Sequence, residues 1–281
     1  MIPLLLTIIC STSIALILKT NDVKKGQPFI LLSGNYLAAS LICIVFIVVS
    51  KNPEFSFETF WFGIILGLLF VIAFFIFAES VSRAGTALAV VSSRLSVLIP
   101  IILSIIIFHE TPNVKQVAGF FLTIATIIFF YYSLKTSPEK KHSLTDYLYL
   151  ILLLIGIGIN DFGMKVFQQL KPMNEKPLFL LCIFGSAFIY SQSYVFLKKI
   201  MFKKRTFIRG LTLGIPNIFS SFFLIGALSV LPAIIVFPSI NISIIVLTSI
   251  SAYLIWKEKL NTCGVLSIIS GSIAILLFGI S

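Results

Sequence analysis

Residues 86–108 read TALAVVSSRLSVLIPIILSIIIF, 23 residues whose one formal charge, Arg94, stands near the middle. That is the length a helix needs to cross a bilayer, ~20 predominantly apolar residues at ~1.5 Å rise each. A guanidinium inside such a run is expensive, on the order of 2.5–3.5 kcal/mol even on lenient insertion scales. Arg94 sits about nine residues in, roughly 13 Å deep at helical rise, too deep to reach the interface comfortably. It is therefore a functional candidate by default.

Working outward, apolar runs of the same kind fill the chain. Of 281 residues 58% are hydrophobic and 11% charged, and the mean hydropathy is +1.10. No soluble domain of this size carries such a surface, so the composition indicates an integral membrane protein. Ten spans account for almost everything: residues 2–18, 28–49, 57–80, 86–108, 114–132, 144–167, 177–197, 207–230, 232–255 and 262–280. They are apolar nearly all round, whereas barrel strands would alternate over ~10 residues. The first run has no basic residue before Lys19 and no small-x-small cleavage pattern, so it is expected to be a span and not a signal peptide.

The net charge of +11 lies in short clusters between apolar runs, where lysines meet anionic lipid head groups; nucleic acid is not expected as a partner. Cys10, Cys43, Cys182 and Cys263 show neither CxxC nor Cys/His spacing, so no metal, disulfide framework or cofactor is expected. There is no Walker-type G-x-x-x-x-G-K-[ST] and no soluble domain to hold a nucleotide. His109 and His142 sit at helix ends without a partner dyad, which argues against an enzyme.

An offset of 148 residues lays spans three to five on spans eight to ten without a gap. Phe74 and Phe75 fall on Phe222 and Phe223, Ile107 on Ile255, Glu110 on Glu258, Asn113 on Asn261 and Val117 on Val265. The recurring signal is a Glu at a helix end and, three residues on, an Asn opening the next helix. Because five spans per half is an odd number, the halves enter the membrane from opposite sides, as in carriers that work by alternating access.

The fourth span has the form A-x4-S-x7-P, on Ala87, Ser92 and Pro100, and runs into Glu110. With the ten short spans, this pattern resembles the drug/metabolite transporter superfamily, in particular its EamA-like permeases. The second half keeps Glu258 but has Thr248 where Pro100 would repeat. The resemblance implies an all-α integral membrane protein of ten transmembrane helices in two inverted five-helix repeats, residues 1–133 and 144–281. It also implies secondary transport in the cell membrane, with both termini cytoplasmic. The charge count points the other way. Loops after odd-numbered spans hold fifteen Lys and Arg against four after even-numbered ones, which places the odd-side loops in the cytoplasm and the termini outside.

Arg94 is expected to grip a substrate carboxylate or phosphate through paired hydrogen bonds; the alternatives are an internal salt bridge or a cap on the carbonyls around Pro100. Counting residues from helix ends puts Asn35, Tyr36, Ser93, Tyr190, Asn217 and Asn241 near the depth of Arg94, and no acid there. These six are candidate substrate contacts, the alternative being plain interhelical hydrogen bonds worth ~0.6 kcal/mol each. Pro216 and Pro238, each near one of the asparagines, favour a cavity by freeing carbonyls. Glu79 is expected to pair with Arg83, and Asp161 with Lys165 four residues on. Asp161 is also a candidate ion-coupling carboxylate.

The fifth and tenth spans carry Gly119 with Thr123 and Ser267 with Gly271, which read as peripheral scaffold or as the seam of a homodimer. The function expected is export of a small polar metabolite such as an amino acid. Efflux of drugs or toxic compounds, a channel and a non-transporting scaffold are the rivals.

Overall fold

The computed structural model describes residues 1–20, 27–50, 54–134, 143–256 and 261–279. Lys24, Lys25, Lys51, Lys135, Lys140, Lys141, His142, Lys257, Glu258 and Lys259 lie outside the described residues. Among the described residues the backbone is α-helix joined by short turns, with one 3-10 turn and no strand.

The helices in chain order are α1 (Ile2–Thr20), α2 (Pro28–Val49), α3 (Phe57–Ala84), α4 (Thr86–Leu95), α5 (Leu98–Phe108), α6 (Val114–Leu134), α7 (Leu144–Leu170), α8 (Lys176–Leu197), α9 (Lys204–Leu228), α10 (Ala233–Trp256) and α11 (Thr262–Gly279). The 3-10 turn, Met173–Glu175, precedes α8. Among the described residues eight helical stretches are long and apolar enough to cross a membrane, and Ile2–Leu18 and Thr262–Phe278 add two shorter apolar ones. The chain is a multi-pass, all-α membrane protein.

The helix ends follow local chemistry. The Asn of the repeated Glu-x-x-Asn signal is a cap: Asn113 Oδ1 accepts from the Gln116 amide at 2.9 Å while Gln116 Oε1 accepts from the Asn113 amide at 3.0 Å. That reciprocal pair is a capping box, which satisfies two donors at the helix N-terminus. Asn261 repeats the first half of it, accepting from the Gly264 amide at 2.8 Å. Pro28 opens α2 at a position where a missing N–H costs nothing.

The sequence led us to expect one continuous helix over residues 86–108; the structure breaks it at Ser96 and Val97. Pro100 is the cause, since it has no N–H for the Ser96 carbonyl and its ring crowds that residue. The ladder tightens to i→i+3 bonds, Val97 N–H to Arg94 O at 3.3 Å and Ile99 N–H to Ser96 O at 3.0 Å. Ser96 Oγ then donates to the Ser93 carbonyl at 2.6 Å. Pro216 and Pro238, by contrast, lie inside α9 and α10, which run on through them.

The chain divides into two compact units, Met1–Ile72 with Val166–Ser229 and Ala73–Lys165 with Val230–Ser281, so each takes segments from both halves of the sequence. In the first unit α2 packs on α8 and α9, and α1 on α9. The α2–α9 backbones nearly touch: a Cβ at Gly210 would lie 2.2 Å from the Leu31 carbonyl oxygen. Phe167 and Phe179 stack at 4.0 Å, both fully buried. In the second unit α6 packs on α11, and α10 on α5, α6 and α11. The small residues of α6 and α11 are turned into this unit. Gly119 faces the Phe278 ring, Gly271 faces Ile242, and Thr126 and Ser270 share a 2.9 Å hydrogen bond.

Candidate functional site

Arg94 lies in the last turn of α4, two residues before the break at Ser96. Its Nη1 donates to Asn241 Oδ1 on α10 at 3.2 Å, and Asn241 Nδ2 donates to the Phe237 carbonyl at 3.1 Å. The second bond fixes which face of the amide turns to the arginine. Nε of Arg94 is buried and makes no hydrogen bond among the described residues. An arginine carries five donors in a rigid fork, and among the described residues its Nε is one that meets no acceptor.

Asp161 on α7 attracts Arg94 electrostatically. This corrects the expectation that no acid stands level with the arginine. Counting from helix ends failed because α7 runs on to Leu170 and because register is set elsewhere, at Gly158. A Cβ on Gly158 would lie 2.9 Å from the Ser96 carbonyl oxygen and 2.6 Å from Ile99 Cβ. The bare glycine lets α7 lie against the α4–α5 break, and Asp161 follows three residues later, about one turn along the helix. Ser92 Oγ, donating to the Leu150 carbonyl at 2.5 Å, ties α4 to α7 a second time.

Lys165, which the sequence paired with Asp161, meets Glu110 at 2.9 Å. The Glu79–Arg83 pair is present at 3.1 Å, and the Arg83 guanidinium also lies 4.6 Å from the centre of the Tyr149 ring. The sequence reading passed over Glu110 as a site residue, although its recurrence at position 258 was the available signal.

The candidate contacts divide between the units. Ser93, Arg94, Asp161 and Asn241 fall in the second, and Asn35, Tyr36, Tyr190 and Asn217 in the first. Asn217 Nδ2 donates to Asn35 Oδ1 at 3.2 Å, next to the closely packed Gly34 and Gly210. Tyr36 is 3% exposed and its ring lies 6.2 Å from that of Phe184. Ser93 contributes its carbonyl to Ser96, and Tyr190 is half-buried on α8. Among the described residues no cluster of His, Cys, Asp and Glu has the make-up of a metal site.

Residues 1–132 match the EamA-like transporter family. An uncharacterized protein of Haemophilus influenzae is 29% identical over 95% of this chain and 93% of its own length. A solved structure, described only as the crystal structure of a protein, superposes with a TM-score of 0.80 at 13% identity, covering 98% of this chain and 94% of that one. That likeness is one of fold. Over residues 1–132 the resemblance to the EamA-like transporters stands.

Proposed function

We propose that this multi-pass chain, EamA-like over residues 1–132, is a secondary transporter that exports a small polar metabolite bearing an anionic group, such as an amino acid, by alternating access. The observation that carries this reading is the half-satisfied guanidinium of Arg94, oriented by Asn241 and with a buried, unpartnered Nε. An unpaired buried donor costs ~1–3 kcal/mol, a cost that packing alone does not offset. A carboxylate supplies the two parallel acceptors that the fork lacks.

Asp161 gives the site a charge of each sign. A ligand carrying both an anionic and a cationic group, as an amino acid does, matches that pair without leaving a net charge in the membrane. Asp161, a carboxylate that interacts electrostatically with Arg94, is the group at this site that can exchange a proton as the ligand comes and goes.

Ten transmembrane helices in two inverted repeats, with the basic loops after odd-numbered spans in the cytoplasm, complete the proposal. The lysine-rich turn between α8 and α9 supports that orientation. The decisive experiment is flux of a metabolite panel in liposomes, run beside Arg94→Ala and Arg94→Lys. Loss with Ala and partial retention with Lys is expected, because lysine keeps the charge without the planar fork. Flux of every transported compound unchanged by both substitutions would refute the role of Arg94.

A further inference from the structure

We infer that Glu110 is a positioning residue for the Arg94 site, a single carboxylate that ties the end of α5, which follows the Arg94-bearing α4 across the break, to α7 and α10, on which Asp161 and Asn241 stand. The inference rests on the reading of that site given above.

Glu110 lies just beyond α5. Its Oε2 and Oε1 accept from the Ala233 amide at 2.9 and 3.2 Å, and Oε1 meets Lys165 Nζ at 2.9 Å. Ala233 is the first residue of α10, eight positions before Asn241; Lys165 is on α7, four positions after Asp161. Glu110 itself ends the span that carries Arg94. All of these residues belong to the second unit.

The backbone aims the carboxylate. His109 sits at φ 54°, ψ 35°, and its amide and that of Glu110 both turn back to the Ser104 carbonyl, the latter at 3.4 Å. A left-handed residue there reverses the chain as in a Schellman ending and points the next side chain across the helix end. The Lys165 side chain is 5% and the Glu110 side chain 13% exposed, and the centre of the Phe108 ring lies 5.9 Å from the ammonium. Water competes little for either charge.

The carboxylate thus has two different partners, a cation and the positive end of a helix. This makes a prediction that an ordinary ion pair does not. In an ordinary pair the exchanged variant Glu110→Lys/Lys165→Glu restores the interaction. Here it sets a lysine against the N–H groups of α10, so it should not.

The test needs no substrate, so it stands apart from the transport assay. Hydrogen exchange and thermal stability would be measured on the full chain in detergent for Glu110→Gln, Glu110→Ala, the exchanged pair, and Glu110→Gln combined with Arg94→Ala. Faster exchange confined to the starts of α10 and the region around residues 92–96 is expected, milder for Gln because it keeps an acceptor for Ala233. The Arg94 and Glu110 substitutions should be non-additive in stability. Uniformly faster exchange in both units, additive effects, or rescue by the exchanged pair would overturn the inference.

Discussion

Arg94 donates to Asn241, the residue that the 148-position offset lays on its own neighbour Ser93. The bond therefore joins two corresponding places in the two sequence halves, one supplying the charge and the other the group that orients it. Replacing Asn241 by Asp converts this bond into an internal ion pair. A charge-assisted bond contributes ~1.5–3 kcal/mol, but the carboxylate loses the donor to the Phe237 carbonyl, so Asn241→Asp should leave the thermal midpoint in detergent near that of the wild type while abolishing flux, since the substrate's anion finds its place taken. Asn241→Leu should lower both.

Two glycines on α7 separate close approach from mere smallness. A Cβ on Gly158 meets Ile99 Cβ at 2.6 Å, while one on Gly156 finds Ala73 Cβ at an ordinary 3.5 Å. Gly158→Ala should destabilise by about 1–3 kcal/mol, the usual cost of overpacking. Gly156→Ala should be neutral or stabilising by up to ~1 kcal/mol through helix propensity. Melting curves of the two variants side by side check this.

Pro100→Ala restores the i→i−4 donor to the Ser96 carbonyl, which now accepts from Ile99 instead, and allows α4 and α5 to join. Stability should rise, because an interior proline costs a helix ~3 kcal/mol, and transport should fall as Arg94 turns with the straightened helix. Equal flux in wild type and variant would show that the break is incidental to transport.

Met201 is 75% exposed in the turn between α8 and α9, beside Lys198, Lys199, Lys203 and Lys204. Met201→Cys, in a background lacking Cys10 and Cys263, should react with a membrane-impermeant thiol reagent only in inside-out vesicles. Labelling of intact cells would reverse the proposed orientation.

Span positions were legible because hydropathy is a property of windows, and the caps at Asn113 and Asn261 because capping is local. The Arg94–Asn241 contact was legible only as two polar residues at similar depth. Asp161 was misplaced because the register of α7 depends on Gly158 meeting the α4–α5 break, a tertiary contact with no local trace. The same holds for Glu110, whose partners lie 55 and 123 positions away. The doubled Glu-x-x-Asn was visible, but sequence showed only that it recurs, not that its Asn caps a helix while its first Glu holds three segments together.

The division into units has a consequence for the order in which the chain is made. Residues 1–72 close their unit with residues 166–229, and residues 73–165 close theirs with residues 230–281. Synthesis from the N-terminus therefore leaves the Gly34 face of α2 without its counterpart Gly210 until α9 emerges, and leaves Arg94 without Asn241 until α10 does. Both wait across long stretches of intervening chain, the kind of non-local pairing that slows folding and prolongs exposure. A fragment ending at residue 132 holds the start of each unit and completes neither, so the biosynthetic folding unit is the whole chain.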